Sequence, residues 1–346
     1  MSLISLPIEI LSNILNEVGA EEFRSQLFLL TVCKTWYEIA QPLLLKDLTF
    51  DTFALLRFPP ESQQLCRLLK TRVRTVSIQV TSFDPNGLPL ADAPEYETDE
   101  YRLVDWSVEM NQRIEDLGIL LSNNTGLTSF SLLILPKPIP KFGSLARLAY
   151  RGPWLHPSRV TGLLRNLATH QLTSLNLDLR HATTLSSEGR GSDAHICRAI
   201  ALHLPTIKHL QLCVERICSD ALNVMDQGAT LPLMSLVVDL RLQQHNDWLE
   251  HSKPCVLPGK PYNYMFIKGA VDALVKLAPH VTLASILYYH DSMVIPGSNQ
   301  DVIAFDCLTR GKMRIPADGA DFWKNEGFSY GYEGDEDDDV MFEESL

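Results

Sequence analysis

Apolar residues in the first 45 positions recur at helical spacing. Ile10, Leu11, Ile14, Leu15 and Val18 fall on one face at a period of about 3.6 residues. Pro7 suits a first helical position, where its missing N–H costs nothing. Glu9 is favoured there by the helix dipole, and Gly19 is the expected stop. A second helical stretch is predicted from about Glu21 to Ala40, broken near Thr31 and ended by Pro42. Its apolar positions are Phe23, Leu27, Leu30, Val32, Cys33, Trp36, Tyr37, Ile39 and Ala40. Three short helices make a small, marginal unit, and these side chains are more apolar surface than it can hide alone.

Beyond Asp51 the period shifts to alternation. Val73-x-x-Val76-x-Ile78, Leu127-x-x-Phe130-x-Leu132, Leu145-x-x-Leu148-x-Tyr150 and Leu172-x-x-Leu175-x-Leu177 each predict a short strand with one buried face. Ile207-x-x-Leu210-x-Leu212, Leu233-x-x-Leu236-x-Val238 and Leu283-x-x-Ile286-x-Tyr288 continue the series. Helical stretches are predicted between them at Arg113–Leu121, Val160–Leu167, Ala194–Leu204, Asp220–Met225 and Gly269–Leu277. Such alternation implies α/β architecture with parallel strands joined by crossovers.

From Leu127 the strand motifs start 18, 27, 35, 26 and 50 residues apart. Leucine-rich repeats have a period of about 20–29 residues, so residues 72–317 resemble an irregular leucine-rich-repeat solenoid. An ordinary α/β sheet with leucine-rich strands is the competing reading. In a solenoid, residues between the core leucines point to the concave side. This places Arg147, Arg151, Asp178, Arg180, His209, Gln211, Glu215, Asp239 and Arg241 on a candidate target-binding face, with Ser174, Asn176 and Ser235. Mixed charge and hydrogen-bonding groups suit a protein surface more than a polyanion.

The start of the chain resembles the F-box family over roughly residues 5–50. The resemblance rests on Leu6-Pro7-x-Glu9-Ile10-Leu11-x-x-Ile14-Leu15 and on Val32-Cys33-Lys34-x-Trp36-Tyr37-x-Ile39-Ala40-x-Pro42. It implies a three-helix module that binds the Skp adaptor of cullin–RING (SCF) ubiquitin ligases. The contacts it implies are Leu6, Pro7, Ile10, Ile14, Val32, Cys33 and Trp36. The expected organisation is an F-box at 1–50, a linker helix region at 51–71, the repeat-like domain at 72–317 and a disordered acidic tail at 318–346. The resemblance further implies a substrate-recognition adaptor that presents a target protein. A scaffold that holds the Skp adaptor without delivering a target is an alternative, as is an α/β enzyme with an F-box-like start.

Charge supports a protein partner. The net charge is −12, but Glu333–Leu346 holds eight acids and no Lys or Arg, which leaves −4 on the rest. No basic stripe is present for phosphate contacts, so nucleic acid is not an expected partner. A turn-rich acidic insertion is expected at 82–105 and an aromatic Pro/Gly loop at 243–264. The first cation is Arg24 and no run of about 18 apolar residues occurs, so neither a signal peptide nor a membrane span is expected. The seven cysteines are irregularly spaced, which fits a reducing compartment, cytoplasmic or nuclear. No His-Glu-x-x-His, P-loop or Gly-x-Ser-x-Gly occurs. The expectation is therefore no enzyme, no metal and no cofactor.

Overall fold

The computed structural model describes residues 6–59, 63–81, 99–135, 154–167, 171–179, 183–184, 196–214, 217–224, 230–240, 263–289 and 302–315. Their strands are β1 (Asp47–Asp51), β2 (Thr75–Thr81), β3 (Ser129–Leu135), β4 (Trp154–Leu155), β5 (Ser174–Asp178), β6 (Thr183–Thr184), β7 (His209–Cys213), β8 (Ser235–Asp239), β9 (Leu283–Tyr289), β10 (Val302–Asp306) and β11 (Lys312–Ile315). Nine of them form one sheet in the order β1-β2-β3-β5-β7-β8-β9-β10-β11, which is chain order. Neighbours from β1 to β9 are parallel. The pairs β9–β10 and β10–β11 are antiparallel and end the sheet as a meander. Strands β4 and β6 form a separate parallel pair. The protein is thus mixed α/β, as the alternation predicts. The strand expected at Leu145–Tyr150 lies outside the described residues.

One device recurs at the entry to the parallel strands. The Arg74 carbonyl accepts N–H bonds from both Thr128 and Ser129. The Thr128 carbonyl does the same for Thr173 and Ser174, that of Thr173 for Lys208 and His209, that of Lys208 for Met234 and Ser235, and that of Met234 for Thr282 and Leu283. At the first step the Lys46 carbonyl accepts from Arg74 N–H. Lys46, Arg74, Thr128, Thr173, Lys208, Met234 and Thr282 therefore occupy equivalent positions. Each precedes the first residue of a strand-pairing row that runs Asp47–Thr75–Ser129–Ser174–His209–Ser235–Leu283. This alignment also explains the sequence motif. Its first apolar residue, such as Leu127, Leu172, Ile207 or Leu233, is buried just before the strand, and the other two point to the core from within it. It adds a unit missed in the sequence, Leu45-x-x-Leu48-x-Phe50.

Helices cover the core face of the sheet. They include α3 (Thr52–Leu56), α4 (Gln63–Arg72), α5 (Asp99–Leu121), α6 (Pro157–Asn166), α7 (Ile196–Ala201) and α8 (Asn263–Leu277). Trp106, Met110, Ile114, Leu117 and Leu121 bury the inner face of α5 against Val76, Ile78, Phe130 and Leu132 in one continuous cluster. The same cluster takes in Leu163, Ile200 and Val271 from the later helices. Each such side chain contributes about 1.5–3 kcal/mol on burial. Residues 51–71, expected as a linker region, feed this core through Leu55, Phe58 and Leu69, and the Phe50 and Phe58 rings meet edge to face at 5.5 Å.

Residues 99–105, expected within the acidic insertion, are instead the first turns of α5. Acids suit a helix start, and Leu103 begins the buried stripe continued by Trp106 and Met110. Asn263 and Tyr264, expected at the end of the aromatic loop, likewise begin α8. The stretch expected as helix at Asp220–Met225 contributes only a 3-10 turn, Ser219–Leu222. The remainder of both loops, 82–98 and 243–262, and the tail lie outside the described residues.

The N-terminal unit is α1 (Ile8–Ser25), a 3-10 turn (Leu27–Thr31) and α2 (Lys34–Lys46). Gly19 (φ 80°, ψ 160°) breaks α1 in a conformation that suits glycine. Leu11, Leu15, Phe23, Trp36 and Ala40 form a core of their own. Pro42 does not stop α2. It withdraws one donor, while Leu43 and Leu44 pack against the small core and carry the helix on to Lys46. Helix α2 then runs straight into β1, so residues 47–50 belong to the sheet. Arg24 donates to the Leu44 carbonyl at 3.0 Å and to that of Asp47, locking the joint.

Candidate functional site

The N-terminal unit divides its motif residues between two environments. Trp36 is 7% exposed and sits in the small core, beside Leu11 and Leu15. Its backbone N–H is held by the Cys33 thiol at 3.4 Å, so Cys33 acts as the cap of α2. Of the residues expected to contact an adaptor, Trp36 is thus an internal strut. Leu6, Ile14 and Cys33 are half-buried. Pro7 is exposed, Ile10 is 45% exposed and Val32 is 50% exposed. Phe28, which the sequence reading did not single out, is 66% exposed on the 3-10 turn, and Ile8 and Tyr37 are also exposed. Phe28 lies between the two halves of the motif, and the signal available was an aromatic outside the 3.6-residue stripe.

The second surface is the sheet face opposite the core. Strand pairing aligns two rows on it. One runs Thr49–Ser77–Ser131–Asn176–Gln211–Val237–Ser285–Asp306. The other runs Asp51–Gln79–Leu133–Asp178–Cys213–Asp239–Leu287–Ala304. The expected target-binding residues Asp178, His209 and Gln211 do share this face. His209 is exposed, and Asp178 and Gln211 are half-buried. Arg147, Arg151, Arg180, Glu215 and Arg241 lie outside the described residues.

The face has two halves of different chemistry. From β1 to β7 it carries mostly hydroxyl, amide and carboxylate groups, with Leu133 and Cys213 among them. Ser131 Oγ donates to Ser77 Oγ at 2.9 Å, and His209 Nδ1 lies 2.9 Å from Ser235 Oγ. Asn176 Oδ1 is shielded from solvent with no partner among the described residues. From β8 onward the face turns apolar, where Val237, Leu287, Val302 and Ala304 form a second cluster. Asp239 belongs to that half and is 1% exposed, so it is not an open contact residue as expected. In its pairing row Asp239 is flanked by Cys213 and Leu287, and Leu287 pairs in turn with Ala304 of the antiparallel β10.

Two buried groups elsewhere, His203 and Cys307, have displaced ionisation. His203 is buried below the sheet and its Nε2–H donates to the Leu164 carbonyl at 2.9 Å. Desolvation holds its imidazole below the ordinary histidine range, against the opposing effect of that bond. Burial, with help from Asp272 and Asp306, pushes the Cys307 thiol up to about 12. A thiol so disposed is a poor nucleophile at neutral pH.

Among the described residues, no group of three or more His, Cys, Asp or Glu side chains could hold a metal ion. No described helix is long and apolar enough to cross a membrane. No protein-family model matches the chain, and no curated protein matches it.

Proposed function

We propose that the chain is a non-enzymatic substrate receptor of an SCF-type cullin–RING ubiquitin ligase. An F-box-like N-terminal unit holds the Skp adaptor, and the sheet face opposite the core presents a target protein. In this reading the sheet domain is a degenerate leucine-rich-repeat stack, working in the cytoplasm or nucleus. The chemistry belongs to other ligase subunits, and the rate gain comes from proximity.

The observation that carries the reading is the division of the motif residues. A three-helix unit closes a small core with Leu11, Leu15 and Trp36, yet leaves Ile10, Val32 and Phe28 outside. Exposed apolar side chains grouped on one small unit mark an interaction site. Support for stacked repeats comes from the strand-entry carbonyl that recurs at six successive steps and from a sheet order equal to chain order. The direct passage from α2 into β1 gives the reading a mechanical sense. Whatever α1 and α2 hold is fixed relative to the sheet, which a ligase requires of a receptor.

The test is calorimetry of the full chain with a purified Skp adaptor. Ile10→Asp and Val32→Asp should each weaken binding at least tenfold with an unchanged circular dichroism spectrum, since buried interface anchors cost about 2 kcal/mol or more when lost. Trp36→Ala is the wrong probe because it opens the unit's own core. A folded wild-type chain that does not bind, or variants that bind as tightly, would refute the proposal.

A further inference from the structure

Two cysteines meet where α7 packs against the 3-10 turn Ser219–Leu222. The Cys218 backbone N–H donates to Cys197 Sγ at 3.4 Å. Adding one N–Cα bond of about 1.46 Å keeps the Cys218 Cα within about 4.9 Å of that sulfur. The Cys218 thiol is two bonds beyond that Cα, so rotation about the Cα–Cβ bond sets how near it comes to Cys197 Sγ. The same joint is bridged on its outer side by Arg198 and Asp220, whose charged groups are 3.6 Å apart and well exposed. An ion pair that exposed adds little rigidity. Cys197 is fully buried and Cys218 half-buried.

We propose that Cys197 and Cys218 form a reversible redox pair that closes to a disulfide under peroxide. Cys218 is the solvent-reachable partner. Its thiolate attacks one peroxide oxygen, the O–O bond breaks, and protonation of the leaving oxygen releases water and leaves a sulfenic acid. The Cys197 thiol then attacks the Cys218 sulfur, the S–O bond breaks, and its proton leaves with hydroxide as a second water. Two thiols lose two electrons in total, and one peroxide becomes two waters. The bond closes the loop from 197 to 218, which contains β7 with His209 and Gln211. Oxidation therefore stiffens the unit that carries those two side chains. This inference is independent of the adaptor reading, since it uses no residue of the N-terminal unit.

The experiment treats the reduced full-length chain with equimolar hydrogen peroxide, blocks remaining thiols with N-ethylmaleimide and digests without reductant. Arg198, Lys208 and Arg216 separate the two cysteines and Cys213 into different tryptic peptides, so a linkage is unambiguous by mass. The expected result is one cross-linked pair through Cys197 and Cys218, abolished by dithiothreitol. Cys197→Ser should leave Cys218 as a sulfenic acid that dimedone labels, and should lose the rise in thermal midpoint that oxidation gives the wild type. Cys307 serves as an internal control that stays outside the reaction. The proposal is overturned if both thiols of the wild type remain alkylatable, or if Cys218 oxidises without joining Cys197. The wild-type map decides the matter even if a variant fails to fold.

Discussion

Replacing Asn124 should be among the most damaging single changes in the sheet domain. Its side chain is fully buried just before β3. The amide nitrogen donates to the carbonyls of Leu69 at 2.6 Å and Val73 at 3.1 Å, and the amide oxygen accepts from Gly126 N–H at 2.6 Å. Leu69 is in the last turn of α4, where carbonyls lack helical partners. One residue thus caps a helix 55 positions away and shapes its own turn. Asn124→Ala strands two buried carbonyls, each worth about 1–3 kcal/mol, and a part-buried N–H that water can partly serve, so a loss of about 3 kcal/mol follows because the terms do not fully add. Urea unfolding followed by circular dichroism should show a midpoint lower by roughly 1 M or more at an unchanged slope. Asn124→Asp sharpens the test, because it keeps size and one acceptor but sets a carboxylate against two carbonyl oxygens. It should cost at least as much as alanine. A loss under about 1 kcal/mol for either variant would refute the account of Asn124 as an inter-unit cap.

Two further perturbations follow from the same packing. His203 titrates below its unfolded value because it is buried, so the unfolded chain takes up a proton first as the pH falls. Its stabilising contribution is full above pH of about 6.5 and is lost as pH drops from there through the folded pKa. Urea midpoints at pH 8 and pH 5.5 should therefore differ less in His203→Gln than in the wild type, and an equal difference would contradict this. At Gly118 an added Cβ would lie 3.0 Å from both Cα and Cδ1 of Leu163, and since one of these is backbone, α6 has to give by a few tenths of an ångström. Gly118→Ala should destabilise by about 1–2 kcal/mol by thermal or urea unfolding, despite a helix-propensity gain of about 1 kcal/mol.

Sequence alone determined what depends on local periodicity. The 3.6-residue stripe from Ile10 to Val18, the break at Gly19 and the apolar triplets ending in Ile78, Leu132, Leu177, Leu212, Val238 and Tyr288 all follow from short-range pattern. Each triplet marks a strand because its spacing sends two residues to one face and one to the turn before it. The F-box resemblance is legible for the same reason, as an ordered set of side chains within about 40 positions.

What remained belonged to tertiary structure. Helix α2 passes Pro42 because Leu43 and Leu44 find a core to pack against, which no propensity reports. Strand β1 carries the same triplet, Leu45-x-x-Leu48-x-Phe50, but its first residue lies inside helix α2, and pairing with β2 is what declares it a repeat. Strands β10 and β11 break the parallel series, and the apolar cluster of Val237, Leu287, Val302 and Ala304 forms only where β8, β9 and β10 lie side by side. Trp36 turns inward and Phe28 outward because three helices enclose one small core, and only a limited set of large side chains fits inside it. Which face an apolar residue takes is a property of what surrounds it, so the order of residues could name the candidates for a docking surface, and packing alone sorted them.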